Sequence, residues 1–263
     1  MRISVVALLF LGVTSGSLLG AGRQLTGVYT PAQGPALSPE AAQKKFTVPR
    51  GFEVRLFAAE PDVINPVAMT WDERGRLWVV ELYEYPRGAS KGEKPRDRVR
   101  ILEDVDGDGK ADKSTVFVDG LNLATGIQLG NGGVYIGQAP DFLFFEDTDG
   151  DDVADKKTVL KTGFGLDDRH ELLNGFTWGP DGWLYMTHGV FTHSKVGKPG
   201  TPDDQRTPLN AAIWRYHPVR QEFEVFAHGT SNPWGLDYDQ YGNFFATACV
   251  IPHIFHIIPG ASY

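Results

Sequence analysis

The sequence predicts an all-β chain, a β-propeller of four-stranded blades, and two observations carry that prediction. The first is a repeat: Glu103-Asp-Val-Asp-Gly-Asp-Gly-Lys-Ala-Asp112 returns as Glu146-Asp-Thr-Asp-Gly-Asp-Asp-Val-Ala-Asp155. A strand-like run precedes each copy (residues 98–102 and 142–145) and another follows it (114–118 and 157–160). The spacing of the copies matches the ~40–45-residue period of propeller blades, none of which can bury its two faces alone. The second is a hairpin plan used four times. Residues 66–71 lead through Asp72-Glu-Arg-Gly75 into 76–80, and 124–129 through Gly130-Asn-Gly-Gly133 into 134–136. In the same way 175–178 pass through Gly179-Pro-Asp-Gly182 into 183–187, and 235–238 through Asp239-Gln-Tyr-Gly242 into 243–247. Glycine supplies the positive φ that such tight turns need.

Taken in order, Met1-Arg2 and the apolar run 3–13, followed by small residues to Gly22, read as a secretory signal over 1–22. Ser15 and Ser17 interrupt the run well short of the ~20 apolar residues of a spanning helix. The mature chain is therefore expected to be exported, to the periplasm or beyond. Membrane association would come only through further sequence. Residues 23–45, rich in Pro, Ala and Gly, read as a linker, and the propeller is expected over 46–263. Residues 51–57 alternate apolar and polar, as a half-exposed strand does. Outer strand pairs follow each inner hairpin: the two that carry the acidic loops, then 212–216 with 222–226, and finally 254–258 without a partner. The expected whole is a six-bladed propeller of which this chain covers about four blades. The strand at 51–57 would then complete a blade begun elsewhere in a longer protein. Cys249, in an apolar run and with no second cysteine to pair with, is expected to be buried.

The chain has 263 residues, 41% of them hydrophobic, enough for a sizeable core. Its net charge of −8 and the lack of any Lys/Arg run exclude a nucleic-acid surface. Much of the negative excess sits in the acidic loops. Numbered from Asp104, the first places carboxylates at positions 1, 3, 5 and 9 (Asp104, Asp106, Asp108, Asp112), with the Lys110 carbonyl at 7. The second supplies Asp147, Asp149, Asp151 and Asp155, with the Val153 carbonyl at 7, but Asp152 stands where the first has Gly109. This is the ligand spacing of a calcium loop, without the final bidentate Glu and flanked by strands rather than helices. A solvated acidic turn is the alternative, opposed by the mutual repulsion of the carboxylates. Loops joining third and fourth strands lie away from the blade-to-blade loops, so such an ion would brace the scaffold.

The opposite face gathers polar and aromatic residues: Asn65, Thr125, 167–174, 228–232, 81–87, 138–141, 188–193 and 252–253. His170, Asn174, His188, His193 and Asn232 are the candidates at this channel mouth, the default ligand site of a propeller. Each alone is more often a structural hydrogen-bonder than a reacting group.

Three segments carry a resemblance: Phe46-Thr-Val-Pro-Arg-Gly-Phe-Glu-Val54, His170 through Gly179-Pro-Asp-Gly182-Trp-Leu-Tyr185, and Asn232-Pro-Trp-Gly-Leu236. They are similar to the soluble glucose/sorbosone dehydrogenases, propellers that use pyrroloquinoline quinone. The doubled Asp-rich loops, Cys249-Val-Ile-Pro-His253 and Ile258-Pro-Gly-Ala-Ser-Tyr263 resemble more specifically another group. That group is the N-terminal propeller of the membrane-bound dehydrogenase-type, haem-binding multidomain proteins of planctomycetes and verrucomicrobia. The resemblance implies an oxidoreductase acting on a sugar or sugar-like alcohol, with electrons passing to a quinone or to a downstream haem domain or protein. It implies His170 as base and Asn232 as a cofactor contact. From their shared face, Asn174, His188 and Asn232 are taken as further catalytic candidates, and Arg169 and His193 as further cofactor-contact candidates. Two departures stand out: Ser231 occupies the place of the family's cofactor-binding Arg, and one extra residue separates His170 from the Gly-Pro-Asp-Gly turn. No haem-binding Cys-x-x-Cys-His occurs in the chain. A non-catalytic, calcium-stabilised propeller that binds carbohydrate or a protein is the main alternative. Metal-dependent hydrolysis by the same face is a weaker one.

Overall fold

Short Asp-plus-glycine turns set the inner hairpins in the computed structural model, which describes residues 35–263. Strands β1 (Pro66–Trp71) and β2 (Leu77–Glu81) meet at Asp72, whose carboxylate accepts the N–H groups of Arg74 and Arg76 at 3.0 and 2.8 Å, while Gly75 takes φ 78°. That side chain does for the turn what a backbone carbonyl would do. With β3 (Asp97–Glu103) and β4 (Lys113–Leu121) they form the first antiparallel blade. The second blade is β5 (Ala124–Gly130), β6 (Gly133–Gln138), β7 (Asp141–Glu146) and β8 (Lys156–Thr162). The third begins with β9 (Asn174–Trp178) and β10 (Leu184–His188), and then adds a small hairpin, β11 (Ser194–Val196) and β12 (Thr207–Leu209). It is completed by β13 (Ala212–His217) and β14 (Glu222–His228). Strands β15 (Asn232–Tyr238), β16 (Phe244–Cys249) and β17 (Ile254–Ile257) make the three-stranded fourth blade. The described chain is thus an all-β propeller of four blades, with one five-residue helix, α1 (Pro39–Gln43), and one 3₁₀ turn.

Because the blades pack face to face, their second strands are buried along the whole length rather than on alternate residues: every residue of β2 and of β10 is buried, Glu81, Thr187 and His188 included. Trp78, Val80 and Phe117 face Ile127 and Ile136 between the first two blades. Between the second and third, Phe142 sits edge-on to Trp214 at 5.6 Å and to Tyr216 at 5.4 Å. The fit there depends on missing side chains. A Cβ on Gly126 would stand 2.6 Å from the Phe176 ring, and one on Gly130 2.5 Å from that of Trp178. Between the third and fourth, Tyr185 stacks on Phe244 at 4.2 Å. Burying each such ring contributes about 1.5–3 kcal/mol. The innermost strands β1, β5, β9 and β15 follow one another around the axis.

Residues 51–57 make no ladder with the described strands; Phe57, with Ala58 and Val63 after it, covers Leu77, Val79 and Leu102 on the first blade. One expectation is corrected. Cys249 is exposed, because Val250 takes φ 78° and turns the chain outward at the end of β16. The proposed signal and all of the linker before residue 35 lie outside the described residues, and α1 falls within the remainder. Beyond β17, the segment 260–263 runs along β14, with His228 N–H on Ala261 O at 2.9 Å and Tyr263 N–H on His228 O at 3.0 Å.

The hairpin of the first blade is tied to the acidic loop of the second. Arg76, 7% exposed, holds Asp72 at 2.8 Å and both carboxylate oxygens of Asp152 at 2.8 and 2.9 Å. Asp152 therefore stands at φ 66°, where the first loop has glycine, because its side chain is needed for this contact. Replacing it by glycine would relieve about 1 kcal/mol of backbone strain. It would also remove charged hydrogen bonds worth about 2–3 kcal/mol from a buried guanidinium. Asp152→Gly is therefore expected to lose about 1–2 kcal/mol in urea unfolding, and a gain in stability would contradict this account.

Candidate functional site

At the mouth, the loop between the second and third blades presents His170 with its side chain 63% exposed. Its peptide N–H and its ring Nδ1 both bond Asp168 Oδ1 at 2.8 Å, which makes Nδ1 the protonated nitrogen and leaves Nε2 with the lone pair. These two bonds hold the Asp168 carboxyl below the usual carboxylate range. Tyr85, from the first blade's connection between second and third strands, lies edge-on to the imidazole at 5.5 Å. Arg169 Nη1 donates to the Arg87 carbonyl, so two blades meet over the mouth. Behind them Thr192 Oγ1 donates to Asp168 O at 2.7 Å, and Glu171, 4% exposed, accepts the Phe191 N–H at 2.7 Å. The Phe191 ring itself is 63% exposed.

The other candidates sit deeper. Asn174 is buried with both ends of its amide engaged, donating to Leu172 O at 2.8 Å and accepting from Thr187 Oγ1 at 2.7 Å. Thr187 Oγ1 also lies 3.0 Å from Pro233 O, joining the third and fourth blades. His188 ends β10 fully buried, with Nε2 at 2.9 Å from both Thr192 O and Ser194 Oγ. Asn174 is pinned inside the frame, whereas His188 is held at Nε2 and its buried Nδ1 has no partner. Asn232 is 6% exposed with Oδ1 unpartnered, and Thr230 Oγ1, two residues earlier, is buried and unpartnered as well. Thr230 and Ser231 take φ 72° and 60°, a strained pair of the kind that marks ligand-holding segments. His193 is exposed and lines a cavity beside β11. Asp168 and Thr230 had no assigned role in the sequence; the Asp-x-His spacing was the available signal for the first.

On the opposite face the two acidic loops adopt one scaffold. Asp104 accepts the N–H groups of Gly107 and Gly109 at 2.7 and 2.9 Å; Asp147 accepts those of Gly150 and Asp152 at the same distances. Carboxylate oxygens of Asp104, Asp106 and Asp108 lie within 4.8 Å of one another, as do those of Asp147, Asp149 and Asp151. The repulsion of Asp151 pushes the Asp149 carboxyl up, as expected where a cation is wanted. Asp112 and Asp155 are turned inward instead, onto the N–H groups of Val105 and Thr148 at 2.9 and 3.2 Å. The Lys110 and Val153 N–H groups bond Asp108 and Asp151, each at 2.8 Å. Three clustered carboxylates per loop suit a hard cation.

Burial lowers the His188 imidazole to about 4. The folded state therefore binds fewer protons than the unfolded chain, and stability present above pH ~6.5 is lost as pH falls toward 4. The loss amounts to about 3 kcal/mol, to be read from urea unfolding at pH 7 and pH 4. His188→Gln should flatten that difference; an unchanged slope would show the imidazole is not its source.

Comparison with solved structures shows the fold. The holo form of the pyranose dehydrogenase PQQ domain from Coprinopsis cinerea is similar with a TM-score of 0.54 at 17% identity, over 76% of this chain and 47% of that one. PQQ-bound aldose sugar dehydrogenase from Streptomyces coelicolor gives 0.54 at 19%, over 76% and 62%. A carbohydrate-active enzyme of family AA12 from Trichoderma reesei gives 0.58 at 14%, over 82% and 59%. The chain thus spans about half to three-fifths of the length of these structures. No curated protein matches it by sequence. Residues 38–260, nearly the whole described chain, match the family described as "Domain of unknown function (DUF7133)", and the protein belongs to that family.

Proposed function

We propose that the mouth oxidises a sugar or sugar-like alcohol, with His170 taking the hydroxyl proton. The observation that carries this reading is the His170–Asp168 pair, which fixes the tautomer and points a basic Nε2 at an open, aromatic-rimmed mouth. A positioned base of this kind contributes about 10²–10⁴-fold to such a step. The fold shared with sugar dehydrogenases supports the reading by analogy. Pyrroloquinoline quinone fits the donor set in one respect: Asn232 Oδ1 and Thr230 Oγ1 are buried polar atoms without partners. Those two residues, with Arg169 and His193 toward the rim, would hold it. When bound, it supplies the hydride acceptor for the carbinol carbon. Ser231 brings no charge to meet a cofactor carboxylate, so binding would rest on neutral hydrogen bonds. Export through residues 1–22, an electron-accepting haem domain or protein, and the kinship with the planctomycete and verrucomicrobial propellers belong to the same proposal.

The test is dye-linked sugar oxidation with and without added quinone, together with the cofactor's absorbance on the washed protein. His170→Ala should lower kcat by at least about 100-fold with cofactor uptake unchanged. Asp168→Asn should lower it by about tenfold or more through the wrong tautomer. Absence of both quinone uptake and oxidation would sink the reading. Retained sugar binding would then favour a carbohydrate-binding propeller, which the exposed Phe191 and Tyr85 rings favour independently.

The acidic loops we assign to calcium in a bracing role, on the face away from His170. Calcium at about 100 times its dissociation constant should raise stability by about 2.7 kcal/mol for one site. Asp104→Asn with Asp106→Asn should remove the first loop's share. A melting temperature indifferent to calcium and chelator would rule the assignment out.

A further inference from the structure

The connection from second to third strand differs from blade to blade. The second blade makes it with residues 139–140 and the fourth with 250–253, whereas the third uses 189–211 and folds part of it into the β11–β12 hairpin. Insertions that break a repeat gather on one face, often the binding face. This one is rigidly mounted. Thr162 and Gly197 exchange backbone hydrogen bonds at 2.9 and 3.0 Å, and Lys195 N–H bonds Gly163 O at 3.0 Å, so the hairpin extends the end of β8. The approach requires glycine: a Cβ on Gly163 would stand 1.9 Å from Lys195 O, and one on Gly165 2.4 Å from His193 O.

Between this hairpin and the ends of β8 and β14 lies a cavity of about 670 Å³, within the range of small-ligand sites. Pro208 is the exposed apolar residue of its lining, with the buried Phe164 and Leu209 behind it, while Arg206, Lys195, Asn210 and His193 supply polar groups. The carboxylate that lines it, Asp203, has its side chain 75% exposed and stands 3.4 Å from Arg206. Arg206 is largely covered and fixed by its Nε on Thr201 O at 2.9 Å. In a chain of net charge −8, a cavity lined by two cations and one exposed acid is a local exception. A guanidinium so held matches a carboxylate in charge and planarity. An apolar wall suits the C–H face of a sugar ring. The cavity adjoins the mouth: His193 lines the cavity, and its neighbour Thr192 bonds the backbone of Asp168, which orients His170.

We propose that this cavity is a subsite for a uronic-acid unit of an oligosaccharide whose reacting end lies at His170. The carboxylate lies on Arg206 and Lys195, and the ring lies over Pro208. The inference rests on the mouth being a sugar site and adds the substrate class: acidic oligosaccharides.

Calorimetric titration of the full chain with an oligogalacturonide and with a neutral cello-oligosaccharide of equal length tests it. The acidic sugar is expected to bind about tenfold more tightly, with a preference that weakens as salt is raised. Arg206→Gln should abolish the preference and leave neutral binding in place. Since Arg206 also steadies its own loop, the exposed Lys195→Glu is the second variant, expected to reverse or erase the preference with the melting temperature unchanged. Equal affinities in the unaltered chain, or a preference that survives both substitutions, would overturn the subsite while leaving the sugar reading intact. No binding of either sugar would overturn both.

Discussion

A blade of this protein has two apolar faces and can bury neither by itself. Everything else follows from the need to lay one blade against the next. Trp78 and Phe117 lie against Ile127 and Ile136 across the first junction, Phe142 meets Trp214 across the second, and Tyr185 meets Phe244 across the third. Polar atoms reach across too: Thr70 Oγ1 bonds Gln128, Thr125 Oγ1 bonds Leu173 O, and Trp178 Nε1 bonds Leu129 O, at 2.9, 2.7 and 2.7 Å. These bonds satisfy groups that the packing would otherwise strand in an apolar junction, where an unmade bond costs about 1–3 kcal/mol.

The same constraint sorts the polar residues near the mouth into two kinds. Those on strand ends are drawn into the frame. Glu81, fully buried, holds Arg98 and Arg100 and accepts the Ile64 N–H at 2.7 Å, and Asp97 gathers the N–H groups of Glu84 and Leu123. His188 and Asn174 belong with them. Those on the loops between blades remain at the surface, and His170 is the one whose tautomer is set from behind while its other nitrogen stays free. Position along the strand thus separates scaffold from chemistry more sharply than residue type does.

Much of this was legible in the sequence because it depends on local chemistry. Asp-x-x-Gly turns and the doubled acidic loops need only near neighbours, and their hairpins and strands stand where the residues placed them. What depends on distant packing was not. Residues 51–57 alternate like a strand, yet nothing local announces that Phe57 lies over Leu77 and Leu102. Ser194–Val196 and Thr207–Leu209 are three-residue strands without periodicity, held by backbone bonds to β8 that no neighbour announces. His170 and His188 look alike in sequence; one lies in a loop and the other closes a buried strand, and only the fold tells them apart.

Each junction between the described blades is shared by neighbours in sequence, β1 on β5, β5 on β9 and β9 on β15, which gives the blades the thermodynamics of a one-dimensional array. In such an array, resistance to local opening follows the packing of the junctions. The second and third blades are locked together by the aromatic cluster around Phe142 and by glycines that admit Phe176 and Trp178. His170 is carried by the loop that joins these two blades. The proposed base therefore rides on a junction built to resist opening, while Thr230 and Asn232 stand at the next one, where the third blade passes into the fourth.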